Sequence, residues 1–305
     1  MQDTKKVVIR SVSFIIITIL YVSLLLGFSG AVDPANSLLA HTPTTDRMIE
    51  KSFDVRPGGL LQINTDTGGI EVEGWDRDEV SLTIEVKGQE RYVEDIEFLI
   101  ESSDDGVDIQ ADIPRRSSLF GNWGRQLNIS YTVMVPSEYN MKLRTSGGSV
   151  TVKKVAGEIS VRTSGGSITA ESVRGDVTVR TSGGSITVND AHGNFEARTS
   201  GGPIRLSAID AQVDARTSGG GISFESVGPN RGVELRTTGG SINVKLPEDI
   251  NANINARTSG GRVSTDFPVT IQGTTSRSSI DGTINDGGPD IILRTSGGSI
   301  RINKK

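Results

Sequence analysis

"RTSGGSVTVKKVAGEISV" (144–161) is followed without a break by "RTSGGSITAESVRGDVTV" (162–179). Both stretches open on Arg-Thr-Ser-Gly-Gly-Ser and both are 18 residues long. Further copies start at Arg180, Arg198, Arg216, Arg236, Arg257 and Arg294. The last gap is twice as wide, with "SSIDGTI" (278–284) as a worn copy inside it. A fixed short period sets the architecture of a chain before any other signal. Eighteen residues are too few for a propeller blade and the wrong length for a helical solenoid.

Apolar residues recur in columns through the copies. Val150, Ile168, Ile186, Ile204, Ile222, Ile242, Val263 and Ile300 form one column. Val152, Ala170, Val188, Leu206, Phe224, Val244 and Ile302 form a second, two residues on. The other half of each copy holds Ile159, Val177, Phe195, Val213 and Val233, then Val161, Val179, Ala197, Ala215, Leu235 and Ala256. A spacing of two marks strands, so each copy contains two strands and two turns. The pattern predicts an all-β fold, a parallel β-solenoid of 18-residue coils stacked about 4.8 Å apart. Roughly nine coils then make a rod of about 40 Å. One coil alone cannot bury its apolar face, and stacking makes the core continuous. With coils stacked in chain order, "IRINKK" (300–305) becomes the charged guard of the far end.

Continued alternation points each Arg outward and the following Thr inward, where its hydroxyl meets backbone at the corner. Gly-Gly is read as the bend, through its tolerance of positive φ.

Residues 51–140 alternate without repeating. "LQINTDTGGIEVEGW" (61–75), "VSLTIEV" (80–86), "IEFLI" (96–100) and "LNISYTVMV" (127–135) are half-buried strands. They form an N-terminal β module that caps the solenoid of residues 141–305. The loop at 114–126 carries Phe120 and Trp123, read as packing onto the sheet.

At the N-terminus, Lys5, Lys6 and Arg10 precede an uncharged stretch, Ser11 to Val32. Positive charge ahead of an apolar run is the layout of an export segment. Residues 1–32 are therefore read as a signal peptide, with Ser29 and Ala31 at the cleavage site, or as a retained membrane anchor. Either reading puts the rest of the chain outside the cytoplasm: in the periplasm, at the cell surface or anchored facing outward. Residues 33–50, with Pro34, Pro43 and His41, are read as a linker.

Composition removes several classes of function. With no cysteine there is neither a disulfide framework nor a thiolate metal site, and a lipoprotein anchor is impossible. Two histidines, His41 and His192, do not make a histidine cage. The net charge of −5 argues against nucleic acid as a partner.

"FDVRPGGLLQINTDTGGIEVEGWDRDEV" (53–80), "YTVMVPSEYNMKLRTSGGSVTV" (131–152) and the serial Thr-Ser-Gly-Gly together resemble the bacterial putative-adhesin family of β-strand-repeat proteins. That is a domain-of-unknown-function family, with similar domains in cell-envelope-stress proteins. The resemblance spans residues 50–303. It implies an exported, envelope-associated protein, and it brings no catalytic residues to carry over.

The arginine ladder is the sharpest candidate site: Arg144, Arg162, Arg180, Arg198, Arg216, Arg236, Arg257 and Arg294. Neighbouring guanidinium groups 4.8 Å apart repel by about 0.9 kcal/mol in water. The outward column two residues earlier offers relief, with Glu196, Asp214 and Glu234 beside Arg198, Arg216 and Arg236. One reading is therefore a self-neutralised solvated face. The other is an anion-binding strip for phosphate-bearing envelope polymers or envelope proteins, centred where acids are missing, at Arg144, Arg162 and Arg180. Calcium does not fit, because the Ser-Gly-Gly-Ser turns lack Asp ligands. A flat Ser/Thr grid is broken at "PIR" (203–205) and "GIS" (221–223). The acids at Asp76, Asp78 and Glu79 and at Asp104 and Asp105 look like turns, and no nucleophile elbow or phosphate loop occurs. The expectation is a non-enzymatic envelope scaffold without cofactor. A signalling ectodomain is the alternative, and a carbohydrate-active β-helix enzyme the more distant one.

Overall fold

The computed structural model describes residues 5–9, 44–113, 127–271 and 276–305. Among the described residues the fold is all-β apart from one helical turn, Glu90–Val93. Two parallel ladders face each other across an aliphatic core. In one, Ile168 pairs with Val150 and Ile186; in the other, Val177 pairs with Ile159 and Phe195. The solenoid expectation holds. Ile186, Ile204, Ile222, Ile242 and Ile300 have no exposed surface, as their column position requires.

The two corners of a coil differ. The second corner uses positive φ, at Ser172 (52°) with Gly175 (109°) and at Asp190 (58°) with Gly193 (103°). The Ser-Gly-Gly-Ser corner does not. Its glycines are required by close approach instead: a Cβ on Gly166 would overlap the Gly148 carbonyl, and one on Gly184 the Gly166 carbonyl. The expected role of positive φ at this corner is therefore corrected.

Coil order also departs from chain order, at both ends. The last coil, made by Asp290–Thr295 and Ile300–Lys304, lies between two earlier ones. One neighbour is the coil of Val233–Thr237 and Ile242–Leu246, and the other that of Ala252–Thr258 and Val263–Thr265. The worn copy is not a coil: Ser279–Ile284 runs antiparallel to Ala252–Thr258 and, with Thr270–Ile271, forms the cap. Phe267, 5% exposed, covers the core end beneath Lys304. "IRINKK" is thus internal, with Lys305 paired to Glu225 at 2.6 Å, and does not guard an end.

The N-terminal end mirrors this arrangement. Leu60–Asn64 and Gly69–Trp75 form a true coil beside Asn140–Arg144 and Val150–Lys153. Outside it lies a later coil, Gly106–Asp112 and Leu127–Pro136. The module of 51–140 therefore shares the solenoid's ladders, and one core cluster runs through both.

Thr44–Asp54, partly read as linker, is a strand antiparallel to Glu79–Gln89. Its Arg47 crosses the open end of the core, donating to the Ile96 carbonyl at 3.1 Å and lying over the Phe98 ring. Lys5–Ile9, read within the positive flank of an export segment, pairs antiparallel with Glu97–Ser103. The apolar run 11–32, the cleavage site, His41, Phe120 and Trp123 lie outside the described residues. Among the described residues no helix is long and apolar enough to cross a membrane.

Candidate functional site

Each Thr that follows a ladder Arg is buried and ties two coils together. Thr181 donates its hydroxyl to the Gly166 carbonyl at 2.8 Å and accepts from the Gly184 N–H at 3.3 Å. Thr163, Thr199, Thr217, Thr237, Thr258 and Thr295 repeat both bonds. This fixes the strand end that carries each Arg, so the guanidinium row is anchored at its roots.

All eight arginines fall on one line, but in the order 144, 162, 180, 198, 216, 236, 294, 257. Their electrostatic partners divide the line into three parts. In the middle, Glu196 accepts from Arg180 at 2.7 Å and pairs with Arg198 at 2.9 Å. Asp214 and Glu234 hold Arg216 at 2.9 and 3.0 Å, and Glu234 also pairs with Arg236. Asp214 and its neighbours raise the Arg216 pKa above its ordinary value, chiefly through the direct hydrogen bond. Arg180, expected among the acid-free residues, is therefore neutralised, because Glu196 reaches back across one strand.

At the N-terminal end, Arg144 and Arg162 are exposed and make no ion pair among the described residues. The residues two positions before them are Lys142 and Ser160, set side by side by the register. Three cations thus stand together, and the residues in register with Lys142 and Ser160 on the adjoining strands, Gln62 and Thr178, are neutral.

At the C-terminal end, Arg294 sits between Arg236 and Arg257. It donates to Asn255 Oδ1 at 2.7 Å and forms no ion pair among the described residues, with Asp281 and Glu234 acting on it only at longer range. Burial, then the charges of Arg257 and Arg236, hold its pKa below the usual guanidinium range. Sequence reasoning missed this cluster because the chain places Arg257, not Arg294, after Arg236.

An open groove follows the arginine row. One stretch, about 460 Å³, runs from Arg162 to Ser218, and the next, about 570 Å³, from Arg216 to Ser296. Arginines form one wall, the buried threonines the floor, and exposed Ser164, Ser182, Ser200 and Ser218 the other wall.

His192 lies at the second corner, 3.2 Å from Asp190, in a separate recess with Asp210 and Arg231. Arg231 pairs with Asp210 and lowers its pKa, so the recess is satisfied internally. Among the described residues no group of acids and histidines is arranged to hold a metal ion.

The family model described as Toastrack DUF4097 matches residues 60–303. The chain is also similar to solved structures. A putative adhesin from Parabacteroides merdae is 12% identical over 85% of this chain and 96% of that one, with a TM-score of 0.44. A putative lipid binding protein from Parabacteroides distasonis is 15% identical over 85% and 96%, with a TM-score of 0.38. A putative cell adhesion protein from Clostridium sporogenes is 11% identical over 85% and 100%, with a TM-score of 0.30. No curated protein matches the sequence.

Proposed function

The chain belongs to the Toastrack family, DUF4097, and from that premise we propose that it is a non-enzymatic, exported cell-envelope scaffold, adhesin-like in use. Its arginine face binds acidic envelope polymers or the acidic surface of an envelope protein. The observation that carries this reading is the trio Lys142, Arg144 and Arg162, unpaired among the described residues, while Arg180 to Arg236 are met by Glu196, Asp214 and Glu234. Cations left free on a rigid, evenly spaced face are available to an external anion, and guanidinium groups grip phosphate and carboxylate in a bidentate manner.

Export rests on Lys5, Lys6 and Arg10 ahead of the uncharged run 11–32. An exported chain has residues 1–32 removed or held at the membrane. Lys5–Ile9 then leaves the Glu97–Ser103 edge, since a single crossing puts that strand on the far side of the bilayer.

The test is binding of the full chain to a soluble acidic polymer such as dextran sulfate. Replacing Lys142, Arg144 and Arg162 together by Ser is expected to weaken binding by on the order of tenfold or more, whereas Arg198→Ser has little effect. Unchanged binding by the triple variant rejects the reading. Cell fractionation with mass analysis of the mature N-terminus tests export separately.

A further inference from the structure

Arg236, Arg294 and Arg257 project from three adjacent strands in that order, an arrangement created by the insertion of the last coil. Two residues before the arginine, earlier coils place Glu196, Asp214 and Glu234; the inserted coil places Ile292 there. Arg294 is therefore half-buried between two like charges, and its hydrogen-bond partner among the described residues is neutral Asn255. Glu234 is shared between Arg236 and Arg216. Asp281 approaches Arg257 only to 3.6 Å, outside hydrogen-bonding distance. The adjoining groove of about 570 Å³ is bounded on its far side by Thr238, Ser259 and Ser296, all exposed. None of those three hydroxyls has a side-chain partner among the described residues.

We propose that Arg236, Arg294 and Arg257 form an anion site for a chain bearing at least two phosphate-type groups. One group bridges Arg236 and Arg294, the next bridges Arg294 and Arg257, and the hydroxyl wall donates to their remaining oxygens. The site rests on the reading of the arginine face as an anion strip, and it lies at the opposite end from Lys142, Arg144 and Arg162. Like charges crowded together and partly withdrawn from water gain most from an added anion. The lowered pKa of Arg294 agrees with that crowding. Because two strands of the trio come from coils far apart in sequence, the site exists only once the last coil is seated. The same phosphate chemistry is available from a soluble phosphate polymer or from lipid headgroups.

The experiment compares the full chain with Arg294→Gln, Arg257→Gln and the double variant Arg144→Ser/Arg162→Ser. Tripolyphosphate serves as the soluble probe and vesicles of phosphatidylglycerol as the headgroup probe; affinity and thermal midpoint are the readouts. Arg294→Gln is expected to lower affinity on the order of tenfold or more, with Arg257→Gln acting in the same direction. Arg294→Gln is also expected to raise the midpoint without anion, because it relieves the crowding, and to abolish the anion-dependent rise. Binding to vesicles alone, lost in Arg294→Gln, supports the site with a headgroup as its source. Tripolyphosphate binding that survives Arg294→Gln and Arg257→Gln but falls in the Arg144/Arg162 variant overturns this site and leaves the strip reading standing. Absence of binding to either probe overturns this site, and the strip reading then stands or falls on the dextran sulfate result.

Discussion

The Thr295 hydroxyl donates to the carbonyl of Gly240 at 2.7 Å, 55 positions earlier in the chain. In every coil from Arg162 to Arg216 the same bond spans 15 residues. The long span arises because the last coil has entered between its predecessors. On its other side Thr258 donates to Gly298, reversing the chain order. Asp290–Thr295 and Ile300–Lys304 are thereby each held between two strands, and the outer edge of Ala252–Thr258 passes to an antiparallel hairpin. Coils that end on a bare ladder invite pairing with other chains; this closure covers the Ala252–Thr258 edge.

Crosslinking tests the coil order directly, and the absence of cysteine makes it clean. Asn243 is in register with Arg301, and Arg301 with Ser264. Neighbouring strands lie about 4.8 Å apart, within disulfide range, whereas a pair two strands apart is at about 9.6 Å, beyond it. Asn243→Cys with Arg301→Cys is expected to form an intramolecular disulfide under mild oxidation. Asn243→Cys with Ser264→Cys is expected to form none. The reverse result, read by peptide mass mapping, would mean that the coils stack in chain order.

The threonine ties are expected to be individually costly to lose. Thr181→Val keeps the shape but leaves the Gly166 carbonyl and the Gly184 N–H without their partner. Stranding buried polar groups costs about 1–3 kcal/mol. Thr181→Ser keeps the hydroxyl and should recover most of that loss. The urea midpoint at constant slope is the readout, and a Val variant as stable as wild type would show that the bonds contribute little.

Much of this architecture was legible in the sequence. The period named the two strands, the inward columns and the corner threonines, and these are where the alternation put them, except in a third apolar column of Val155, Val173, Ala191, Ile209 and Val227, where Ile209 is only half-buried and Val227 is exposed. Neighbour identity was not legible. Every coil presents the same Ile, Thr and Gly-Gly surfaces, so each is compatible with any other, and periodicity cannot choose between them. The signals that could have decided were departures from the repeat. "RTSGGSI" at 294–300 is an unworn internal copy, whereas "RTSGGRV" at 257–263 is followed by Phe267 and Pro268. Atypical repeats belong at ends. "NTDTGG" (64–69) was likewise a coil corner disguised by Asn in place of Arg and one added residue. The "TTDRMIE" half of the first long strand was read as linker because a single edge strand, with Arg47 crossing the core end, has little apolar alternation of its own. The arginine row was legible as a row. The Arg236–Arg294–Arg257 cluster was not, because it depends on the coil order.

Two adjacent glycines should respond differently to the same change. At Gly165 an added Cβ finds the Ser146 carbonyl at 3.6 Å, an ordinary contact, while at Gly166 it overlaps the Gly148 backbone. Gly165→Ala is expected to alter stability by less than about 1 kcal/mol, and Gly166→Ala to cost at least about 2 kcal/mol. Denaturant melts of the two variants decide it. Equal effects would return the corner to the positive-φ explanation.

Alkaline pH should unfold the N-terminal end through its buried tyrosines. Tyr131 is 1% exposed, bonds Thr65 at 3.1 Å and packs edge-on against Phe98. Burial pushes its pKa up to about 12. Tyr139 is also raised to about 12, by burial and then by the Asp105 charge. An unfolded tyrosine titrates near 10. Below that value both states hold the proton and the contribution is complete. Between about 10 and about 12 only the unfolded chain loses protons, so stability falls as pH rises through that window. Each tyrosine accounts for on the order of 2 kcal/mol of that fall. Tyr131→Phe should therefore lower stability modestly at pH 8, through the lost Thr65 bond, yet roughly halve the decline between pH 10 and 12. Urea midpoints across that range for wild type and variant measure the difference. Parallel curves would mean that Tyr131 ionises as readily folded as unfolded, and that its burial at the core end is not maintained in solution.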